Sequence, residues 1–172
     1  MTRSPADTRP ASEGGLHLER WSATSGSERG SRANLVLEGG GHRWRANADG
    51  NGAIDALMRA VDNALEPLLG SGVVLESFDV HATRAGHEAR ASVTLGVRRD
   101  APDAPVHAGG AEDDNVLQAS VVAYIDAVNA LLAAEGIDIA SAVPSPGETS
   151  RHEADPDSQT RAKDRIMSAY NS

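Results

Sequence analysis

Two stretches place backbone amides beside polar side chains in a way that could hold a small anion. In Gly50-Asn51-Gly52-Ala53-Ile54-Asp55-Ala56-Leu57 a glycine-flanked turn opens directly into a helical pattern. Gly50 and Gly52 permit backbone angles closed to other residues and let a ligand or second chain approach closely. With Gly52 as N-cap, the first amides of the helix point outward carrying partial positive charge, which suits a carboxylate. The second stretch is Asp113-Asp114-Asn115-Val116-Leu117-Gln118. Asn115 and Gln118 have capping-box spacing, and the two acids before them suit a helix start or a ligand ammonium. An ordinary turn-to-helix junction is the plainer reading of either stretch alone.

Six histidines, His17, His42, His81, His87, His107 and His152, raise acid-base and metal chemistry. They form no i, i+4 pair and no H-x-H, and there is no cysteine, so a zinc site would need ligands from separated strands. No metal and no cofactor is expected. His81 and His107 fall on strands of one sheet and, with Asp114, make the one set that could do acid-base work on a small acid. There is no G-x-S-x-G, P-loop or G-x-G-x-x-G, and Gly39-Gly40-Gly41 precedes a strand, where it cannot cradle phosphate.

The elements that must position these residues follow from periodicity. Leu16–Ser22 reads as a strand with imperfect alternation, suggesting a bulge, followed by strands at Ala33–Leu37 and His42–Ala46. A helix follows from Ala53 to Leu69, with Ile54, Leu57, Met58, Val61, Leu65 and Leu68 on one face. Ala56, Ala60 and Ala64 let it lie close to a sheet, and Gly70-Ser71-Gly72 terminates it. A second run of strands starts at Val73. Phe78, Val80 and Ala82 share a face there, Ala89–Val97 alternates regularly, and Val106–Ala108 reads as a short edge strand. A second helix spans Val116 to Glu135 and is closed by Gly136.

Composition narrows the classes. Of 172 residues, 40% are apolar but only 3% aromatic, so the core must be built from Ala, Val, Leu and Ile. A net charge of -9 argues against a nucleic-acid partner, whose phosphates require clustered cations. No apolar run is read as a membrane span and no signal segment opens the chain, so a soluble cytoplasmic protein is expected. Residues 1–14 read as a disordered arm and residues 139–172 as a flexible polar tail.

The halves repeat. Leu18-Glu19-Arg20-Trp21 is echoed by Leu75-Glu76-Ser77-Phe78, and Arg32-Ala33-Asn34-Leu35-Val36-Leu37 by Arg90-Ala91-Ser92-Val93-Thr94-Leu95. Gly52-Ala53-Ile54-Asp55-Ala56 corresponds to Asn115-Val116-Leu117-Gln118-Ala119, an offset of roughly 60 residues, on the scale of duplicated supersecondary units. The expected fold is α+β: two pseudosymmetric βββα units, 15–72 and 73–138, packed together and completed by dimerisation.

With this duplication, the chain from Leu16 to Gly136 resembles the regulatory (dimerisation) domain of alpha-isopropylmalate synthase and citramalate synthase. The resemblance rests on the G-N-G segment, on Phe78-Asp79-Val80-His81-Ala82, and on Asp113–Ser120 as the second helix start. Ala53 departs from the family's proline, which leaves that helix start less rigid. The family's catalytic barrel with its H-x-H motif has no counterpart, so a complete synthase is not expected. The resemblance implies a feedback module that binds a branched-chain amino acid or a related hydroxy or keto acid; the alternative is a repurposed small enzyme doing acid-base chemistry on a small acid in the equivalent pocket. The module's partner would be a second copy or a separate synthase. The ligand carboxylate would rest on the amides of Gly52-Ala53-Ile54 or of Asn115-Val116-Leu117, beside Gly50 and Asn51. Asp114 or a strand carbonyl would take the ammonium, and Ile54, Leu57, Val80 and Leu117 would line the side-chain pocket.

Overall fold

The computed structural model describes residues 14–142, apart from 71, 84, 85, 87 and 88. His87, His152 and nearly all of the two terminal segments lie outside the described residues. The first unit comprises β1 (His17–Thr24), β2 (Ser31–Gly39), β3 (His42–Gly50), α1 (Ala53–Ala64) and a short α2 (Glu66–Leu69). The second comprises β4 (Val73–Ala82), β5 (Ala91–Arg99), β6 (His107–Asp113) and α3 (Val116–Ala134). Each unit is a three-stranded antiparallel sheet, in order β1-β2-β3 and β4-β5-β6, followed by a helix. The predicted α+β duplication is the fold.

The expected bulge is at Glu19, where the β1–β2 register shifts between Leu18 and Arg20. The same shift occurs in β4 between Leu75 and Ser77, at Glu76. A shared bulge fixes the correspondence of the units. Trp21 faces Leu35 as Phe78 faces Leu95, and Leu37 faces Trp44 as Val97 faces His107. The repeat therefore matches Leu35 with Leu95, not with Val93 as the sequence echo suggested. A two-residue slip keeps every side chain on its own face, so alternation alone could not detect it.

Local chemistry explains the element ends. Gly40 and Gly41, with φ of 58° and 80°, make the two-residue turn between β2 and β3. The predicted helix to Leu69 is interrupted at Leu65, because Pro67 has no N–H to continue the ladder and α2 starts afresh around it. β6 runs to Asp113, longer than predicted, because Gly109 and Gly110 masked its alternation.

Both helices rest on alanine stripes, as predicted for α1. Ala56, Ala60 and Ala64 of α1 and Ala119, Ala123 and Ala127 of α3 are buried. Both helices lie on the inner faces of their own sheets, against each other, and share one core with Leu35, Leu37, Val93, Leu95 and Val97. Contrary to the sequence reading, α3 is long and apolar enough to cross a membrane by length and composition, yet more than half of it is buried inside this fold. It also reaches beyond its own sheet: Tyr124 meets Asp62 on α1, Asn129 holds the backbone of Leu16, and Gln118 accepts from the Trp21 indole. The chain then returns to the first unit. Ile139 of a closing 3-10 turn (Ile139–Ser141) is buried, and His42 Nε2 lies 2.9 Å from the Ala140 carbonyl.

Candidate ligand site at the helix starts

The predicted residues fall into two sets related by the duplication. Gly50, Asn51, Gly52, Ala53, Ile54 and Leu57 form the β3–α1 junction, and Asp114, Asn115, Val116 and Leu117 the β6–α3 junction. Val80 lies on β4, opposite Val93. No hydrogen bond or ion pair among the described residues joins the two sets.

At the first junction neither glycine has positive φ, so the expectation of special backbone angles is corrected. Gly52, at φ -150° and ψ 169°, is extended, and nothing lies within 4 Å of where its Cβ would be. Gly50 is required for space, since a Cβ there would come within 2.5 Å of the Ala56 nitrogen. Asp55 in the first turn accepts from the Asn51 N–H at 2.9 Å and from Arg59 Nε at 3.0 Å. These donors hold its carboxyl below the usual range, the Asn51 amide first. No side chain caps Gly52, and the N–H groups of Ala53 and Ile54 have no protein acceptor among the described residues. Leu57, at 1% exposure, is core.

At the second junction the cap is built in. Asn115 Oδ1 accepts from the Leu117 N–H at 2.9 Å, and the Asn115 N–H donates to Asp113 at 2.8 Å. The reciprocal half of the capping box does not form, because Gln118 serves Trp21 instead. Asp114, expected to receive an ammonium, lies 3.1 Å from Arg90. Val80 (43% exposed) and Val116 (39%) are two of four large hydrophobic residues that stand open among the described residues, the others being Leu75 and Val106.

The acid-base set is not assembled. His81 is opposite Ser92 on the outer face of its sheet, and His107 is opposite Val97 on the inner face. Five β5 residues separate those positions, about 16 Å at the rise of a strand. Among the described residues no three metal-ligating side chains gather.

Sequence reasoning missed two features. One is a pair between the helices, the buried Tyr124 Oη donating to the half-buried Asp62 Oδ1 at 2.7 Å. Burial pushes the Asp62 carboxyl up to about 6 against the opposing pull of the Tyr124 bond and of Arg59. Burial, with Asp62 beside it, raises Tyr124 as well. An aspartate on the apolar side of a helix was the available signal. The other is a concavity of about 510 Å³ lined by polar and apolar residues of β1, β2 and β3 together with Asn63 and Glu66. It contains none of the predicted ligand residues.

A duplicated βββα module with matched helix starts, one open and one self-capped, has the form of a regulatory association domain. The chain belongs to the LeuA allosteric (dimerisation) domain family, which it matches over residues 6–132. It is similar to the 2-isopropylmalate synthase of Methylorubrum populi, 37% identical over 119 residues, covering 69% of this chain and 22% of that protein. The 2-isopropylmalate synthases of Nitrosospira multiformis (37% over 117 residues, 67% of this chain and 22% of that protein) and Stenotrophomonas maltophilia (30% over 146 residues, 82% and 26%) are similar over the same kind of span. The chain thus covers about a quarter or less of the length of these relatives.

Proposed function

We propose that this chain is a sensing and dimerisation module that binds a branched-chain amino acid, or a related hydroxy or keto acid, and transmits its presence to a synthase barrel. The observation that carries the reading is the open start of α1. Among the described residues its N-cap has no side-chain cap, the Ala53 and Ile54 amides lack protein acceptors, and nothing lies within 4 Å of where a Gly52 Cβ would be. Amides in that state bind carboxylates, and Ile54 offers an aliphatic neighbour for a branched side chain. Membership of an allosteric domain family supports the same reading. The exposed Val80 and Val116, with Leu75, support association with a second copy as a homodimer.

Calorimetry with leucine, isoleucine, valine and their keto acids tests the ligand. The expected affinity is micromolar, about 8 kcal/mol. Gly52→Val should abolish binding by occlusion and leave the fold intact, since valine adopts extended angles readily. Wild-type affinity in that variant would exclude the α1 start as the site.

A further inference from the structure

Six arginines among the described residues, Arg32, Arg43, Arg59, Arg90, Arg98 and Arg99, each lie against a carboxylate. Arg20, Arg29 and Arg45 do not; none of the three has a hydrogen bond or ion pair among the described residues, although the chain carries a net charge of -9. Arg20 and Arg45 are neighbours. Arg20 on β1 and Arg45 on β3 both pair with Val36 of β2, on the face turned away from the helices. Two strand spacings, about 10 Å, separate their backbones, so both guanidinium groups can be brought over Val36. Val36 is buried though it lies on this outer face. The next row of the same face is Ser22, Asn34 and Asn47, all hydrogen-bonding side chains. These residues line the concavity of about 510 Å³, and Glu66 at the start of α2 lines it too, also without a partner among the described residues.

The second unit gives an internal control. Its matching rows are Ser77-Gly96-Ala108 and Asp79-Thr94-Gly110, with no cation. The fold therefore does not require arginine at these positions. An unpaired guanidinium presents a fork of donors that matches a carboxylate, and two at this spacing match two carboxylates. Glu66 can accept from a donor substituent carried between them.

We infer that the outer face of β1-β2-β3 is a binding site for a small dicarboxylate bearing a hydroxyl or ammonium group, held by Arg20 and Arg45 with the substituent on Glu66. This site is separate from the helix starts and does not rest on the amino-acid-sensing reading.

The test is calorimetric titration of the full chain with succinate, malate, aspartate and inorganic phosphate at low ionic strength. Malate and aspartate should bind more tightly than succinate, and all three more tightly than phosphate. Arg20→Gln and Arg45→Gln should each weaken malate at least tenfold, and the double variant should abolish it. Glu66→Gln should bring malate to the affinity of succinate, while Arg29→Gln, in the β1–β2 loop, should leave malate binding unchanged. Circular dichroism should show every variant folded, since the substituted side chains are exposed or partly so. No binding by any dicarboxylate at millimolar concentration, phosphate binding as tight as malate, or malate binding undiminished in the double variant would each overturn the assignment.

Discussion

The two units share strand order, bulge position and an alanine stripe, yet they solve burial differently. α1 is amphipathic: it buries Ala56, Leu57, Ala60, Val61 and Ala64 and shows Arg59 to solvent. α3 is apolar around most of its circumference and also packs against β1 through Trp21 and against Leu16 just before that strand. β1 is thereby half covered, with Leu18, Trp21 and Ala23 packed on the core. β4, its counterpart, is left with Leu75 and Val80 open. One helix thus serves both sheets, and the asymmetry leaves the second unit's first strand as the apolar surface available to a ligand or second chain.

The depth to which α3 sinks into its sheet should carry the largest effect. Its Ala123 and Ala127 sit on Gly109, where a Cβ would come within 2.2 Å of the Ala123 carbonyl oxygen and 2.4 Å of the Ala127 nitrogen. The matching residue of the first unit is Ala46, so Gly109→Ala gives the second unit the first unit's residue. Backbone cannot yield as a side-chain end does, and the expected loss is about 3 kcal/mol in urea unfolding. A loss under about 1 kcal/mol would mean that α3 lies no closer to its sheet than α1 does.

The half-buried Asp62 comes next, at the place where α3 has Ile125. Because burial raises this carboxyl to about 6, the folded chain holds its proton more tightly than the unfolded chain does. Its contribution to stability is complete below about pH 4 and is lost as pH rises through about 6. The span is about 2 kcal/mol after allowance for partial solvation. Asp62→Asn, which keeps an acceptor for Tyr124, should remove that fall and be more stable than the wild type at pH 7. Unfolding curves at pH 4.5 and 7 decide it. Equal pH dependence in the two proteins would place the titration elsewhere. Carboxyls held low, such as Asp55 and Glu135, act in the opposite sense and lose their contribution only as pH falls below their ordinary range.

Much of this architecture is legible in the chain. The period-two runs, the alanine spacing of the helices and the repeated Leu-Glu pair before Trp21 and Phe78 carry the fold, because each reports a local rule. Two kinds of information are not local. The register of the repeat requires knowing which β1 residue bulges, and burial of α3 on several sides requires knowing that β1 comes to meet it. The candidate site divides in the same way. The capping role of Asn115 is in its type and position, whereas the pairing of Asp114 with Arg90 and the separation of His81 from His107 depend on strand register. The Arg20–Val36–Arg45 row is invisible until three strands are laid side by side.

Trp44 and His107 are matched positions with a smaller contrast. Trp44 is 4% exposed and its indole N–H has no partner among the described residues, while it meets His42 edge to face at 5.8 Å. An unsatisfied buried donor costs about 1–3 kcal/mol, which offsets part of what the ring contributes by burial. Trp44→Phe removes the donor and keeps an aromatic ring. It should change stability by no more than about 1 kcal/mol, with His42 packing retained. A loss well beyond that would show that the indole volume, and not its polarity, governs the site.

The smallest effect on folding should come from the strand that the asymmetry exposes. Val80 on β4 matches Ala23 on β1, but Val80 is open and Ala23 is packed on the core. A charge at Val80 meets solvent in the isolated chain, so Val80→Lys should alter unfolding by less than about 0.5 kcal/mol. In a homodimer that covers β4, the same lysine would be buried without a partner, and association should fail. Light scattering at tens of micromolar should therefore find the wild type dimeric and Val80→Lys monomeric. Ala23→Lys should show the reverse pattern, a destabilised fold with no selective effect on association. A dimeric Val80→Lys protein would move the interface off β4, and the open face of the second unit would then be left to the ligand alone.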